Sequence, residues 1–176
     1  MPSRCHESIT VHQGRVFTLH RDRITLPNGV ATTLDVIRHP GAAAIVPLTD
    51  KGHVLLIHQY RYAIDDHIWE IPAGTMEPGE SPLACAQREL AEEIGISAQS
   101  WHKLGAIAPL PAYSDETIHL FRGQDLQPAE QHLDPDEILD IQEFRFEVTL
   151  EMIRTGLIRD AKTISGLMMA HAFKAL

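Results

Sequence analysis

A single stretch, residues 74–96, constrains the fold of this chain more than any other. It reads GTMEPGESPLACAQRELAEEIGI. Ser81 is a favourable helix N-cap residue, Pro82 suits the first helical turn, and Gly95 suits a left-handed position after the last turn. These signals predict a helix over Pro82–Ile94.

The predicted helix carries acidic residues beside an apolar face. At about 100° per residue, Glu89, Glu92 and Glu93 share one arc. The neighbouring arc is apolar and is predicted to face the core; it consists of Leu83, Ala86, Leu90 and Ile94. The carboxylates repel one another, and Arg88 neutralises only part of their charge. Either a hard divalent cation such as Mg²⁺ supplies the remainder, or the residues form an ordinary solvated helix face.

The loop and the helix together match every fixed position of the pattern that defines the Nudix hydrolases. These positions are Gly74, Glu80, Arg88, Glu89, Leu90, Glu92, Glu93, Gly95 and Ile96. The resemblance implies an α/β/α sandwich with a mixed sheet. It also implies hydrolysis of a nucleoside diphosphate linked to another group, with two to three Mg²⁺ (or Mn²⁺) ions as cofactors.

The resemblance also assigns roles to individual residues. Glu89 and Glu93 would be the main metal ligands, assisted by Glu92 and by the backbone carbonyl of Ala73. Arg88 would orient these carboxylates, and Arg88 and Glu92 would thereby belong to the catalytic group.

Other acidic residues and one cysteine each have two or more alternative roles. Glu80 is interpreted as a structural contact, with a water-mediated metal contact as the alternative. The general base would come from the loop HLDPDEILD, where Glu137 aligns best as base or additional metal ligand, and Asp134 and Asp136 are alternatives. Cys85 lies one turn before the acidic arc, where it is either a small packing residue or a thiol close to the metals.

The flanking sequence resembles the ADP-ribose pyrophosphatase branch of the family, which includes sugar-nucleotide hydrolases such as those acting on GDP-mannose. The matching segments are HPGAAAIVPL, QYR, WEIPAG, LPAYSDETIHLF and DAKT. Pro111 follows Gly95 by 16 residues, a spacing that marks this branch. Arg61 offers a planar fork suited to phosphate oxygens, although a surface ion pair would use the same fork, and Glu116 is a candidate to hold a ribose hydroxyl or water. We therefore predict that Arg61, Pro111 and Glu116 bind substrate.

Two domains are expected. In the first, residues 1–39, apolar and polar side chains alternate from Ser8 to about His39 around Asn28-Gly29, which predicts an antiparallel sheet with a tight hairpin. Such a sheet has too few large apolar residues to be stable alone, so it must pack on the main domain or on a second copy. The resemblance implies a homodimer in which this sheet is exchanged. Residues 40–176 are predicted to form the α/β (α+β) hydrolase domain.

Periodicity predicts the elements of the second domain. The strands are expected at Ala42–Leu48, Val54–Tyr60, Trp69–Ile71, Trp101–Ala108 and Thr117–Arg122, with a strand pattern over Asp136–Phe146. The polar stretch 123–135 is expected to be irregular. Helices are expected from Thr149 and from about Lys162.

Charge and composition limit the classes of partner that this chain is expected to bind. The net charge of −9 argues against a nucleic-acid-binding surface, and no apolar run approaches the length of a membrane span. With only two cysteines, a disulfide framework is not expected, and the expected location is the cytoplasm.

The expected partner is a small nucleoside diphosphate sugar, first of all ADP-ribose. Two alternatives remain: another Nudix activity, on oxidised nucleoside triphosphates or dinucleoside polyphosphates, and a non-catalytic ligand-sensing module. The complete set of signature glutamates favours an enzyme over the module.

Overall fold

The computed structural model describes residues 2–133 and 138–173. The chain forms two compact units. The first comprises residues 1–41 and 108–117, and the second comprises residues 42–107 and 118–176. The predicted exchange of residues 1–39 between two subunits stays a prediction.

The first unit is a three-stranded antiparallel sheet. Its strands lie in the order β1 (Arg4–Gln13), β2 (Thr18–Thr25) and β3 (Ala31–Arg38). The turn between β2 and β3 is the expected hairpin, because Gly29 has a φ of 87° and the Asn28 side chain accepts a hydrogen bond from the backbone N–H of residue 30. β1 is exposed along its whole length.

The segment 108–117 is tied to the end of β3. The backbone N–H of Ile37 donates to Tyr113 (2.8 Å), and the N–H of Asp115 donates back to Ile37 (3.1 Å). The Asp115 carboxylate also accepts from the backbone of His39 at 2.9 Å. The loop is therefore part of the first unit although it lies far from β3 in sequence.

The second unit contains two sheets and, among the described residues, three α-helices. The elements are β4 (Ala42–Pro47), β5 (His53–Arg61), β6 (Asp66–Glu70), β7 (Ala73–Thr75), α1 (Pro82–Ile94), β8 (Ile96–Ile107), β9 (Ile118–Pro128), β10 (Leu139–Arg145), α2 (Phe146–Arg154) and α3 (Ala161–Ala172). One sheet has the order β7-β4-β9-β8 and is mixed, because β4 and β9 run parallel. The other has the order β10-β5-β6 and is antiparallel.

The central strand β4 is buried on both faces. Its residues Ala42, Ala44 and Val46 pack in a cluster with α2 and α3, whereas Ala43 and Ile45 pack in a cluster with α1. Helices therefore cover both faces of the mixed sheet, which confirms the predicted α/β/α architecture. Among the described residues, no helix combines the length and the apolar character needed to cross a membrane.

Several predicted boundaries were wrong, and β6 spans Asp66–Glu70 instead of Trp69–Ile71. β9 continues to Pro128, because β8 pairs with it from Ile107 back to Ile96, so the polar residues 123–128 are strand rather than irregular. For the same reason β8 begins at Ile96 instead of Trp101. α2 begins at Phe146, which had been assigned to the preceding strand.

Candidate functional site

Helix α1 forms as the sequence predicts. It spans Pro82–Ile94, its N-cap Ser81 accepts a hydrogen bond from the N–H of Ala84 (3.2 Å), and Gly95 adopts a left-handed φ of 72°. One expectation was wrong, since Leu83 is 38% exposed. The buried face instead includes Cys85, Glu89 and Glu93.

Arg88 holds three carboxylates. It donates from Nε and Nη2 to the two oxygens of Glu80 (2.9 and 3.0 Å), and from Nη1 to Glu89 (2.6 Å) and Glu92 (2.9 Å). It also donates to the backbone carbonyl of Thr75 at 3.1 Å. One guanidinium thus joins the loop to two successive turns of the helix, as expected for a residue that orients carboxylates.

The segment before the loop contacts the other carboxylates. The backbone N–H of Ala73 donates to Glu93, which is only 2% exposed (2.9 Å). A Cβ at Gly74 would lie 1.7 Å from Oε1 of Glu89, so any side chain there would overlap the carboxylate. Gly74 is therefore required by close approach rather than by its backbone conformation.

We call Glu80, Arg88, Glu89, Glu92 and Glu93 the acidic cluster. Four carboxylates and one guanidinium give it a formal charge of −3. Within residues 2–133 and 138–173, no group of His, Cys, Asp or Glu side chains is already arranged to hold a metal ion. The oxygen ligands, the excess negative charge and the burial nevertheless fit a hard divalent cation, provided that Arg88 and Ala73 release part of their hold.

The electrostatics of the acidic cluster follow from Arg88. Its hydrogen bonds lower the pKa of Glu80 to about 2, although burial acts in the opposite direction. The same contacts, with the charge of Glu89, raise the pKa of Arg88. Glu80 and Arg88 are therefore charged at all physiological pH values, and Glu80 makes the structural contact that we expected.

Cys85 is a packing residue. It is fully buried, its Sγ donates to the backbone carbonyl of Gly74 (3.5 Å), and burial, with the charges of Glu89 and Glu80, raises the pKa of the thiol to about 12. A protonated, inaccessible thiol reacts slowly. The structure therefore disfavours the alternative of a thiol target beside the metals.

A second cluster of charges lies at the end of β6. Arg61 donates from Nε and Nη2 to the two oxygens of Glu70 (2.9 and 2.5 Å), and Lys162 donates to the same carboxylate (2.6 Å). Lys162 also contacts Asp160 at 3.1 Å. We call Arg61, Glu70, Asp160 and Lys162 the four-charge network; its formal charge is zero.

The four-charge network and the acidic cluster interact electrostatically through Arg61. Burial alone would lower the pKa of Arg61, but the hydrogen bond and charge of Glu70, together with the charges of Glu93 and Asp160, raise it. The charge of Glu93 in the acidic cluster therefore stabilises the charged form of Arg61. The Arg61 side chain keeps 40% of its surface exposed, whereas Glu70 keeps 2%.

The other predicted site residues belong to the first unit or lie outside the described residues. Pro111 is exposed in the loop of the first unit, and the Glu116 carboxylate lies 3.9 Å from Nδ1 of His39 in that same unit. Glu137, with the alternatives Asp134 and Asp136, lies outside the described residues.

Glu70 and Lys162 are residues that sequence reasoning missed. Both stand in segments that had been noted, WEIPAG and DAKT, but 92 residues separate them. One local signal was available. A lysine in the first turn of a helix opposes the helix dipole, so Lys162 at the start of α3 indicates a buried acidic partner.

The chain is similar in sequence to a known family and to several characterised proteins. Residues 38–165 match the family model described as NUDIX domain. The chain is 34% identical over 168 residues to the ADP-ribose pyrophosphatase of Bacillus subtilis (strain 168), covering 94% of this chain and 91% of that protein. It is 36% identical to the methanol dehydrogenase activator of Bacillus methanolicus, with the same coverage of both chains.

A more distant relative and a solved structure complete the comparison. The GDP-mannose pyrophosphatase of Yersinia enterocolitica (serotype O:8 / biotype 1B) is 31% identical, with 88% of each chain covered. A crystal structure of an ADP compounds hydrolase superposes with a TM-score of 0.86 over 98% of this chain and 94% of that one, at 24% identity. The structural match supports the fold alone.

Proposed function

The chain belongs to the Nudix family of hydrolases, and from that premise we propose that it hydrolyses the diphosphate of a nucleoside diphosphate linked to another group. The first candidate substrate is ADP-ribose, which with water gives AMP and ribose 5-phosphate. The relatives named ADP-ribose pyrophosphatase and GDP-mannose pyrophosphatase support this substrate class.

The observation that carries the proposal is the charge imbalance of the acidic cluster. The cluster contains four carboxylates and one guanidinium, and two of the carboxylates, Glu89 and Glu93, are 8% and 2% exposed. Partly buried carboxylates that outnumber the cations of their cluster repel one another at a cost to folding. A fold that keeps them in this state is expected to recruit cations from outside.

A divalent cation, Mg²⁺ or Mn²⁺, would be held by Glu89, Glu92, Glu93 and the Ala73 carbonyl, where it would neutralise phosphoryl oxygens and lower the pKa of a water molecule. Other groups of the site hold these carboxylates in place. Arg88 fixes the carboxylates through three ion pairs, and the Ala73 N–H holds Glu93 against the end of the mixed sheet.

Two further residues have proposed roles in the reaction. Arg61 binds a phosphate oxygen of the substrate with the N–H groups that Glu70 does not use. Glu137 accepts the proton of the attacking water. For Glu137→Gln we expect turnover to fall by roughly 10²-fold or more with metal affinity little changed. The matched control is Glu130→Gln on the exposed surface, and turnover near that of the wild type in Glu137→Gln would remove Glu137 from this role.

The experiment that tests the function is a substrate panel. Phosphate release coupled to alkaline phosphatase is measured with ADP-ribose, GDP-mannose, ADP-glucose, diadenosine polyphosphates and 8-oxo-dGTP, each with Mg²⁺, with Mn²⁺ and with EDTA. The expected result is hydrolysis of ADP-ribose that disappears in EDTA. A preference for diadenosine polyphosphates or 8-oxo-dGTP would contradict the proposed substrate.

Two other outcomes would select the alternatives. Preferred hydrolysis of GDP-mannose would place the chain with the relative of that name. Tight binding of ADP-ribose without hydrolysis of any compound would favour a regulatory module, an alternative supported by the relative named as an activator of another enzyme.

We also propose a homodimer in which residues 1–39 exchange between subunits. β1 is exposed on every residue in the monomer, as expected for a strand that a second copy covers. Deletion of residues 1–39 should abolish both dimerisation, measured by light scattering, and hydrolysis; an active monomer would contradict the proposal.

A further inference from the structure

The four-charge network contains a lysine for which the reaction has no direct use. Lys162 stands in the first turn of α3 with only 12% of its side chain exposed, between the carboxylates of Glu70 and Asp160. Burying an ammonium group costs free energy unless the group is paired, so the contacts of Lys162 should explain why it is buried.

Lys162 holds the carboxylate that orients Arg61. Its Nζ contacts Oε2 of Glu70, and the same oxygen accepts from Nη2 of Arg61. Because Arg61 and Glu70 meet in a planar, bidentate pair, the rotation of the Glu70 carboxylate sets the plane of the guanidinium. Lys162 thus limits the rotation of both groups.

The position of Lys162 is itself fixed by α3. Asp160 caps this helix, because its Oδ2 accepts from the N–H and the hydroxyl of Thr163 (2.9 and 2.6 Å). The Thr163 hydroxyl oxygen in turn accepts from the N–H of Ile71 (2.9 Å). A Cβ at Gly166 would lie 2.9 Å from Ile71, so the helix lies tightly against the strand that ends at Glu70.

The orientation of the Arg61 guanidinium matters because some of its N–H donors are not bonded to Glu70. A guanidinium carries five N–H groups, of which Nε and one on Nη2 face Glu70. The side chain that carries the remaining donors keeps 40% of its surface exposed, and the charge of Glu93 in the acidic cluster acts on it. Without Lys162, the buried charge of Glu70 would act on Arg61 alone and draw the guanidinium inward.

We propose that Lys162 is a positioning residue for substrate binding: through Glu70 it holds the guanidinium of Arg61 with its free N–H groups directed at a phosphate oxygen of the substrate. The identity of that ligand rests on the proposed function. Lys162 itself does not touch the substrate.

Two readouts that do not depend on turnover test this role. The first is calorimetric titration with the α,β-methylene analogue of ADP-ribose in Mg²⁺, which cannot be hydrolysed at the bridging position. The second is the ¹⁵N NMR signal of the Arg61 Nε–H, assigned by its loss in Arg61→Lys. The variants are Lys162→Met and the conservative Lys162→Arg, and the matched control is Lys51→Met in an exposed turn.

In Lys162→Met we expect the analogue to bind roughly 10-fold more weakly and KM to rise by a similar factor, with kcat nearly unchanged. The Arg61 signal should shift and its exchange with water should accelerate. Lys162→Arg should restore part of the affinity, and Lys51→Met should match the wild type. A purely structural role would lower the folded fraction and kcat without changing KM.

Unchanged affinity together with an unchanged Arg61 signal in folded Lys162→Met would overturn the proposal. If that variant fails to fold, the double variant Glu70→Gln/Lys162→Met removes one charge of each sign, and the same loss of affinity is expected from it. If the wild type neither binds the analogue nor hydrolyses any nucleotide, the proposed function falls, whereas the Arg61 signal still decides the role of Lys162.

Discussion

Two groups of charges in the second unit are built in opposite ways. In the acidic cluster, Arg88 pairs with three of four carboxylates and the charge of the fourth, Glu93, acts on Arg61, whereas the four-charge network pairs two carboxylates with two cations. Both are partly buried, but only the four-charge network joins segments that are distant in sequence. The balanced group needs nothing further to be stable, and the unbalanced group is stable only at a cost that an arriving cation would relieve. Under the proposed function, the group with excess negative charge would bind the metal and the balanced group would support Arg61.

Removing a charge from the acidic cluster should harm activity but not stability. In Glu93→Gln, we expect turnover to fall by roughly 10³-fold, because the transition state loses several kcal/mol of stabilisation. The melting temperature should stay constant or rise, because repulsion is relieved and the amide oxygen can still accept from Ala73. Steady-state kinetics and thermal unfolding measure the two effects, with Glu130→Gln as control. A clear loss of stability in Glu93→Gln would contradict the comparison.

The opposite pattern is expected in the four-charge network. In Glu70→Gln, two cations lose a buried partner, and the free energy of unfolding should fall by about 3 kcal/mol, the lower end for a broken buried pair because Arg61 is partly exposed. Urea denaturation measures this loss. The control Glu151→Gln removes an exposed partner of Arg154 on α2 and should change nothing measurable. Equal stability of Glu70→Gln and the wild type would show that the balance has no structural value.

The two groups also differ in how far the sequence reveals them. The acidic cluster lies within residues 74–96, and its caps, glycines and helical spacing act over a few residues, so the helix and the grouping of its glutamates were predicted correctly. The four-charge network depends on α3 meeting the end of β6, a contact between residues 92 positions apart. Local patterns indicate at most that Lys162 has an acidic partner, and they do not identify Glu70 as that partner. The same reason explains β9, whose polar end becomes a strand only because β8 pairs with it.

Some features of the acidic cluster could not be predicted from the sequence and are seen only in the structure. The signature shows that residue 74 is glycine, but only the structure shows that a Cβ there would meet the Glu89 carboxylate. Burial of Glu89 and Glu93 was not expected either, because helical spacing had assigned Leu83 to the core. Spacing gives relative directions around a helix but not the angle at which the helix meets the sheet.

Gly74→Ala sharpens the distinction between activity and stability. The clash at Gly74 involves the far end of a flexible glutamate, so the fold can accommodate the methyl group by moving the Glu89 carboxylate. We expect turnover to fall by roughly 30-fold, the middle of the range for a displaced outer contact of a metal ligand, with a melting temperature close to that of the wild type. Gly79→Ala in the exposed loop would strain a positive φ of 82° without touching a carboxylate, so it should show the reverse pattern. Full activity of Gly74→Ala would mean that Glu89 is not needed in its present position.

The smallest expected effect is the pH dependence of the stability that Asp160 contributes to the four-charge network. Burial raises the pKa of Asp160, but the charge of Lys162 and the hydrogen bonds from Thr163 together outweigh it and lower the pKa below its ordinary value of 3.8. A depressed carboxyl pKa stabilises the fold above the unfolded value, and this contribution disappears as the pH falls below about 4 through the lower folded value. Asp160→Asn keeps an N-cap but loses the ion pair, so it should be less stable than the wild type by about 1.5 kcal/mol at pH 7. Urea denaturation between pH 7 and pH 3 should show the two stabilities converging at the acid end. A constant difference across that range would mean that the cap geometry, rather than the charge of Asp160, maintains the balance.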